Sequence, residues 1–190
     1  MAKVQVTPKR PVYPTPAALI TSVAEDGTPN IITLGETFNI SISDPVILGI
    51  AIRKQRYSHR LISETGEYVV NLPTRAILDE VWYCGRNSGR DVDKFKVTGL
   101  TPLPATVVKP PLIAECPINI ECKVIDIQVI GDHDLFLGEA VVQHVDEAVL
   151  DKRPGRSEKI MVEKLDGFAF VLGKFMPLGH ECYPEHGRRD

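Results

Sequence analysis

The chain has 190 residues, of which 43% are hydrophobic and 25% are charged, and its formal net charge is −3. This length and composition predict one globular domain with enough chain to bury a core. The weak negative charge gives no reason to expect nucleic acid as a partner. There is also no apolar run of membrane-spanning length and no signal-peptide core, so a cytoplasmic protein without a membrane partner is expected.

The four cysteines of the chain form no CxxC pair. In a cytoplasmic protein this pattern predicts reduced thiols that are mostly buried. The C-terminal tail brings His180, Cys182 and His186 close together in sequence. No second group of ligands accompanies them, so no metal site is predicted.

Prolines dominate residues 1–16 and predict an extended arm that lies over the body of the protein or over a partner subunit. Strands are predicted at residues 17–24 and 30–38, and the Asp26–Gly27 pair between them is a strong hairpin signal. A polar loop over residues 39–44 ends at Pro45. The next strand, at residues 46–53, is apolar enough to be buried on both faces.

A local basic island follows this strand, with four basic side chains within eight residues: Arg53, Lys54, Arg56 and Arg60. A short helix is predicted over about residues 58–65, with Ser58 as its N-cap and Gly66 as its C-cap. The free N–H groups and the positive end of the helix dipole suit a phosphate. The residues alone leave two interpretations open, a phosphate-anchoring corner or a solvated strand end with ordinary surface arginines.

The second half of the chain continues with short elements. We expect a strand at 67–72, a helix from a Thr74 cap to about residue 83, a polar loop at 84–95 and an irregular connection to residue 117. A hairpin over 118–129 and 135–145, a charged surface excursion at 146–160 and a strand at 168–172 complete the pattern. Six or more strands joined mostly by hairpins predict a mainly β, closed antiparallel barrel with short peripheral helices. The absence of GxGxxG and Walker A motifs argues against a Rossmann or P-loop fold.

Three segments in this order and spacing resemble the flavin reductase-like, FMN-binding split-barrel family, with the greatest likeness to its flavoredoxin type. They are the stretch from NIITLGETF to VVNLP, then SGRDVDKF, then GDHDLFLGEAVV. The resemblance covers roughly residues 15–150. It implies a six-stranded antiparallel split β-barrel in a single domain over 1–190, with an arm at 1–16, a barrel core at 15–150 and a C-terminal extension at 151–190. It also implies a homodimer with FMN bound close to the interface.

The resemblance further implies which residues contact FMN. Backbone groups of one segment would line the isoalloxazine ring: Leu34, Gly35, Glu36 and Thr37. A second set would hold the phosphate and the ribityl chain: Arg53, Tyr57, Ser58 and His59. A third set would close the site: Ser88, Gly89, Lys94 and Phe95. Two further positions keep an alternative, since Asn71 either contacts flavin or satisfies backbone groups, and His133 either lies on the nicotinamide side of the flavin or is an exposed turn histidine.

An FMN-dependent oxidoreductase is the function that the resemblance implies, with NADH or NADPH as the hydride donor to flavin N5. Such chemistry belongs to the flavin and needs no catalytic acid or base, which fits the lack of an obvious catalytic triad. Electrons would pass to an acceptor protein or to an oxygenase component. Two alternatives stay open: a flavoredoxin-like electron-transfer protein without nicotinamide activity of its own, and an anion-binding module without redox activity. Glu36 departs from the family pattern, because it would place a carboxylate near the ring.

Overall fold

The computed structural model of the protein describes residues 2–8, 12–152 and 159–179, and over these residues the chain is mainly β. Its strands are β1 (Thr15–Pro16), β2 (Ala18–Val23), β3 (Pro29–Leu34), β4 (Thr37–Ser41), β5 (Ile47–Arg53), β6 (Glu67–Leu72), β7 (Pro102–Leu103), β8 (Leu112–Ile113), β9 (Ile118–Ile130), β10 (His133–Val145), β11 (Leu150–Asp151), β12 (Lys159–Ile160), β13 (Phe168–Val171) and β14 (Lys174–Pro177). Its α-helices are α1 (Tyr57–Thr65), α2 (Leu78–Arg86) and α3 (Lys94–Thr98), and 3₁₀ turns lie at Arg75–Ile77, Glu147–Val149 and Val162–Lys164.

Seven antiparallel strands form the principal sheet, in the spatial order β3-β2-β6-β9-β10-β5-β4. Its two edge strands, β3 and β4, follow each other in the chain and are separated only by Gly35 and Glu36. The Glu36 carbonyl accepts a hydrogen bond from the backbone N–H of Ala51 at 2.9 Å, so the connection itself stays joined to β5. The sheet therefore curls until its edges meet at this connection, which gives a barrel with a split between β3 and β5.

Strands β2 and β3 are buried on both faces. Ile20 and Ile32 belong to the core inside the barrel, whereas Leu19 and Ile31 belong to a second core outside it. Neighbouring residues of a strand point to opposite faces, so one strand serves both cores. The outer core packs these strands against α2, α3 and the β13–β14 hairpin. Each fully buried aliphatic side chain contributes roughly 1.5–3 kcal/mol, so the outer layer is a permanent part of the fold.

The predicted strand over residues 30–38 is wrong in its second half. Strand β3 ends at Leu34, and Thr37–Ser41 forms a separate edge strand paired with β5, where a loop from residue 39 is predicted. The Phe38 ring covers Gly49 of β5 so closely that a Cβ on this glycine would lie 2.6 Å from the ring. Pairing with a distant strand thus overrides the local loop signal of Asn39 and Ser41, and the sheet has seven strands instead of six.

The short helix after the basic island begins at Tyr57 and ends at Gly66, which adopts φ 69° and donates its N–H to the Ile62 carbonyl at 2.9 Å. The C-cap prediction is confirmed, but the N-cap prediction is wrong. Arg56 occupies the N-cap position without a side-chain hydrogen bond, and Ser58 is buried in the first turn. Its hydroxyl accepts a hydrogen bond from Asn30 Nδ2 at 2.7 Å. The Ser58 side chain therefore bonds to a residue of β3 and does not cap the N-terminus of α1.

The polar stretch at 84–95 contains more helix than its composition predicts. Helix α2 extends to Arg86, and α3 begins at Lys94 after an Asp93 N-cap that accepts from the Lys96 N–H at 3.1 Å. Of the predicted buried thiols, those of Cys84, Cys116 and Cys122 are free and buried. The tail residues His180, Cys182 and His186 lie outside the described residues.

A buried carboxylate fastens the irregular connection between α3 and β9 to the sheet. Glu121 of β9 is fully buried, and its two oxygens accept hydrogen bonds from a histidine and three successive backbone amides: His144 Nε2 at 2.7 Å, Thr106 N at 2.7 Å, Val107 N at 2.7 Å and Val108 N at 3.0 Å. Burial opposes ionisation, but these hydrogen bonds outweigh it and lower the pKa of Glu121 to about 2. The carboxylate is therefore charged in the folded protein throughout the neutral range.

We predict that Glu121→Gln lowers the free energy of unfolding by about 2 kcal/mol, because the amide loses charge-assisted bonds and turns N–H donors toward backbone N–H groups. A pKa lowered by folding adds stability above the unfolded pKa near 4.5, and this stability disappears as pH falls toward 2. The variant should thus lose less stability than the native chain between pH 5 and 2 in denaturant titrations. Glu139→Gln, at an exposed glutamate of β10, is the matched control; equal acid profiles for all three proteins would contradict the assignment.

Candidate functional site

A cavity of about 410 Å³ lies at the split of the barrel. Its walls come from β3, the Gly35–Glu36 connection, β5, α2 and the β13–β14 hairpin, with His133 from the start of β10. We call this the wide cavity. A second cavity of about 130 Å³, the narrow cavity, is lined by Asn30, the first turn of α1, Cys84, Gly85, residues 87–90 and Lys94. Ile32, Arg56 and Gly85 line both, so the two cavities adjoin.

The ammonium of Lys94 is buried at the narrow cavity, with only 4% of the residue exposed. Its Nζ donates to the Ile31 carbonyl at 2.6 Å and to the Cys84 carbonyl at 2.8 Å. No carboxylate among the described residues pairs with it. Burial lowers the pKa of Lys94 to about 8, with a further lowering contribution from Arg56. An ammonium has three donors, so one N–H remains for an anionic ligand.

Several polar groups of the narrow cavity have no hydrogen-bond partner within the described chain. Asn30 donates from Nδ2 to Ser58, but its Oδ1 is buried and accepts no hydrogen bond within the described chain. The backbone N–H groups of Ser88 and Gly89 likewise donate no hydrogen bond to a described residue. Buried polar groups are normally satisfied, so one buried acceptor and two backbone donors beside a buried cation indicate a polar, anionic ligand.

The close approach of Gly89 to Asn30 shapes the narrow cavity. A Cβ at position 89 would lie 2.0 Å from Asn30 Oδ1 and 3.1 Å from Cδ1 of the Tyr57 ring. Only glycine allows the loop after α2 to approach β3 and α1 this closely. The glycine therefore determines how near the free backbone donors come to Asn30 and Lys94.

Asp132 joins two side chains that line the wide cavity. Its Oδ2 lies 3.1 Å from Arg53, and its Oδ1 lies 2.7 Å from His133 Nδ1. The hydrogen bond from His133 and the charge of Arg53 hold the pKa of Asp132 below its ordinary value. His133 is about one quarter exposed, so its ring borders the cavity rather than projecting freely into solvent.

Aromatic rings form the wall contributed by α2 and the C-terminal hairpin. Phe175 meets Trp82 edge-on with ring centroids 5.8 Å apart, and it meets Phe170 at 5.7 Å. The Arg86 guanidinium lies over the Trp82 ring, 4.6 Å from its centroid. The wide cavity thus combines flat apolar surface with basic groups at its rim, a combination suited to a planar ligand.

The structure brings most of the predicted site residues to these two cavities. Five line the wide cavity: Leu34, Gly35, Glu36, Arg53 and His133. Five line the narrow cavity: Tyr57, Ser58, Ser88, Gly89 and Lys94. Four line neither: Thr37, His59, Asn71 and Phe95. Arg53, predicted at the phosphate, therefore lies in the wide cavity, apart from Lys94.

The four remaining residues have other surroundings. Asn71 is fully buried, where it donates to the Leu19 carbonyl at 3.0 Å and accepts from the Ile113 N–H at 3.0 Å, so it satisfies backbone groups. His59 pairs with Asp134 at 2.9 Å. Phe95 belongs to the outer core, and Thr37 is buried at the start of β4. We therefore leave these four outside the candidate site.

Sequence reasoning missed Asn30, Trp82 and Arg86, which line the cavities. Trp82 and Arg86 are four residues apart on a predicted helix, a spacing that places side chains next to each other. That spacing could have predicted that the two side chains form one surface of α2. Asn30, in contrast, follows a hairpin turn and carries no local signal of burial.

The described residues offer neither a metal site nor a membrane-spanning helix. No group of three histidine, cysteine or acidic side chains among them is arranged to hold a metal ion. No helix in the described parts of the chain is long and apolar enough to span a membrane.

The comparisons with known proteins agree with this geometry. The sequence profile of the flavin reductase like domain matches residues 10–160. An uncharacterized protein of Archaeoglobus fulgidus is 38% identical over 160 residues, which make up 84% of this chain and 89% of that protein. The structure of flavoredoxin from Desulfovibrio vulgaris (Miyazaki F) matches with a TM-score of 0.86 and 29% identity, over 97% of this chain and 98% of that one. Flavoredoxin from Methanosarcina acetivorans matches with a TM-score of 0.87 and 24% identity, over 98% and 96% of the two chains.

The fold is that of a split-barrel protein with a flavin-related redox function, and the predicted fold class is confirmed. The chain belongs to the flavin reductase like family.

We predict that Gly89→Ala destabilises the protein by about 1–3 kcal/mol, because the new methyl group displaces Asn30 and breaks its hydrogen bond to Ser58. Denaturant unfolding measures the change. Gly179→Ala is the matched control, since a Cβ there meets nothing within 4 Å. Equal midpoints for the two variants would show that the loop moves aside without cost.

Proposed function

We propose that the protein binds FMN and acts as an oxidoreductase that accepts hydride from NADH or NADPH and passes electrons to an acceptor. One observation carries the proposal: a buried ammonium without a carboxylate partner among the described residues lies in a narrow cavity that opens into a wide, partly aromatic one. A planar ring joined to a phosphate by a polar chain has this sequence of chemical groups.

The residues present fit such a ligand. The free N–H of Lys94 and the backbone donors of Ser88 and Gly89 would hold the phosphate. The buried Oδ1 of Asn30 would accept a hydrogen bond from a ribityl hydroxyl, which leaves no orphaned acceptor. Family membership independently supports a flavin as the ligand.

The wide cavity would receive the ring system. Its volume of about 410 Å³ falls within the usual range of small-molecule sites. Leu34, Gly35 and Glu36 border it where the chain crosses from one sheet edge to the other, so they would face the ring along one side. The covering β13–β14 hairpin would limit the access of water.

Bound flavin supplies the redox chemistry, since it accepts two electrons as hydride from a reduced nicotinamide. The chain binds the phosphate, positions the ring and leaves room for the second substrate. His133 and Arg53 lie at the cavity on the β5–β10 side, both bonded to Asp132. We propose that His133 lies on the nicotinamide side and helps to orient that substrate.

A second candidate is electron transfer between proteins without nicotinamide activity of the chain's own. The 29% identity with a flavoredoxin over nearly the whole length of both chains favours it. The homodimer that the resemblance implies stays a prediction under either function. Exposed apolar side chains that such an interface would cover lie on β4 and along the second half of β9: Phe38, Ile40, Ile125, Val129 and Ile130.

A visible absorption spectrum tests the proposed function. We expect purified protein supplied with FMN to retain a flavin spectrum after desalting, and we expect the spectrum to bleach within seconds of anaerobic addition of NADH or NADPH. A retained spectrum that only dithionite bleaches would support the electron-transfer candidate. A protein that retains no flavin and shows no change on FMN titration would overturn both.

We predict that FMN affinity falls about tenfold between pH 7 and pH 9, whereas riboflavin affinity does not. The pKa of Lys94 is about 8, so the free protein loses the ammonium over this range and FMN must restore its proton on binding. Riboflavin has no phosphate and is the matched control. Fluorescence titrations measure both affinities. Parallel profiles for the two ligands would exclude Lys94 from the phosphate site.

A further inference from the structure

The wide cavity carries more positive charge than FMN binding uses. Three arginines line it, Arg53, Arg56 and Arg86, together with one acid, Glu36. Arg53 is balanced by Asp132. Arg56 and Arg86, in contrast, form no ion pair with a carboxylate of the described ranges. Arg56 also lines the narrow cavity, beside the proposed FMN phosphate, whereas Arg86 does not and remains available to another anionic ligand.

Arg86 is the better oriented of the two. Its guanidinium stacks on Trp82, one helical turn away on α2, at 4.6 Å from the ring centroid. Phe175 packs edge-on against the same indole and limits its movement. Contact with a ring face leaves the N–H groups of a guanidinium free, and none of those of Arg86 donates a hydrogen bond to a described residue, so they can donate to a phosphate. A stacked arginine is therefore arranged for recognition and not only for solubility.

The position of Arg86 suits a ligand other than FMN. Gly85, its neighbour in the chain, lines both cavities, whereas Arg86 lines only the wide one. The side chain thus borders the cavity in which the proposed ring and second substrate would lie, and His133 lines the same cavity. A nicotinamide dinucleotide brings phosphate groups to this space, since it carries a diphosphate and NADPH carries a 2′-phosphate as well.

We infer that Arg86, supported by Trp82, binds a phosphate group of the nicotinamide nucleotide that reduces the flavin. This inference rests on the proposed function. It adds the residue that would bind a phosphate of the second substrate. The diphosphate and the 2′-phosphate offer the same chemistry to a guanidinium. The sequence does not predict whether NADH or NADPH is the donor. A contact of Arg86 with the 2′-phosphate would favour NADPH, whereas a contact with the diphosphate would serve both donors.

Rapid-mixing reduction of FMN-loaded protein tests the assignment. The donors are NADH, NADPH and 1-benzyl-1,4-dihydronicotinamide, which has the reactive ring but no phosphate. We expect Arg86→Gln to lower the second-order rate constant about tenfold or more with at least one dinucleotide, as for the loss of a charge-assisted hydrogen bond. The rate with the benzyl compound stays unchanged. A loss with NADPH alone assigns the 2′-phosphate, and an equal loss with both dinucleotides assigns the diphosphate.

Arg60→Gln is the matched control. Arg60 also stacks on an aromatic ring, at 5.1 Å from Tyr57, but it lines neither cavity. Its rates should equal those of the native chain with all donors. Arg86→Lys keeps the charge and loses the paired geometry, so we expect an intermediate rate.

A binding measurement complements the rates. Trp82 is the only tryptophan of the chain, so its fluorescence reports ligands that reach Arg86. We expect NADP⁺ or NAD⁺ to change this fluorescence in the FMN-loaded native protein, at concentrations about tenfold lower than in Arg86→Gln.

Two results would overturn the inference: unchanged rates and binding with both dinucleotides, or an equal loss with the benzyl compound, which would indicate a structural effect. A native protein that dithionite reduces and no nicotinamide compound reduces would instead remove the nicotinamide activity, and with it this role of Arg86.

Discussion

A buried ammonium holds the candidate site together. Lys94 opens α3, yet its Nζ is bound to carbonyls of β3 and α2. Burying a cation is costly unless it is well hydrogen-bonded, and two carbonyls provide only part of that compensation. Burial accordingly lowers the pKa of Lys94 to about 8. A phosphate would supply the missing charge, so the same contact that ties two helices to the barrel also creates an affinity for anions.

The second constraint is the passage of the chain from one sheet edge to the other through Gly35 and Glu36. This short connection brings β3 and β5 to either side of a split, and the split is the floor of the wide cavity. The outer core then places α2 and the C-terminal hairpin over it. The strands that bury the barrel core with one face thus position the walls of the candidate site with the other.

Local patterns predicted those parts of the structure that depend on local periodicity. The strand at 67–72 has the predicted bounds, and the long hairpin and Gly66 are also as expected. The edge strand Thr37–Ser41 forms because it pairs with β5. Its polar composition is typical of a loop, so the local sequence does not predict this pairing. Lys94 and Arg53 were predicted at the site from the resemblance. Trp82 and Arg86 were missed, because helical periodicity assigns a side chain to a face but does not show which distant segment will cover that face.

The two proposed phosphate sites use two different kinds of cation. Lys94 is buried, so its charge acts in a medium of low dielectric constant and depends on pH. Arg86 is exposed at the rim, where solvent and salt screen its attraction for an anion. A buried lysine suits a ligand that remains bound through many turnovers, and an exposed, stacked arginine suits a substrate that must leave after each one. The shapes of the two cavities favour the same arrangement. The narrow cavity suits the ligand that stays bound, and the wide cavity suits the substrate that enters and leaves.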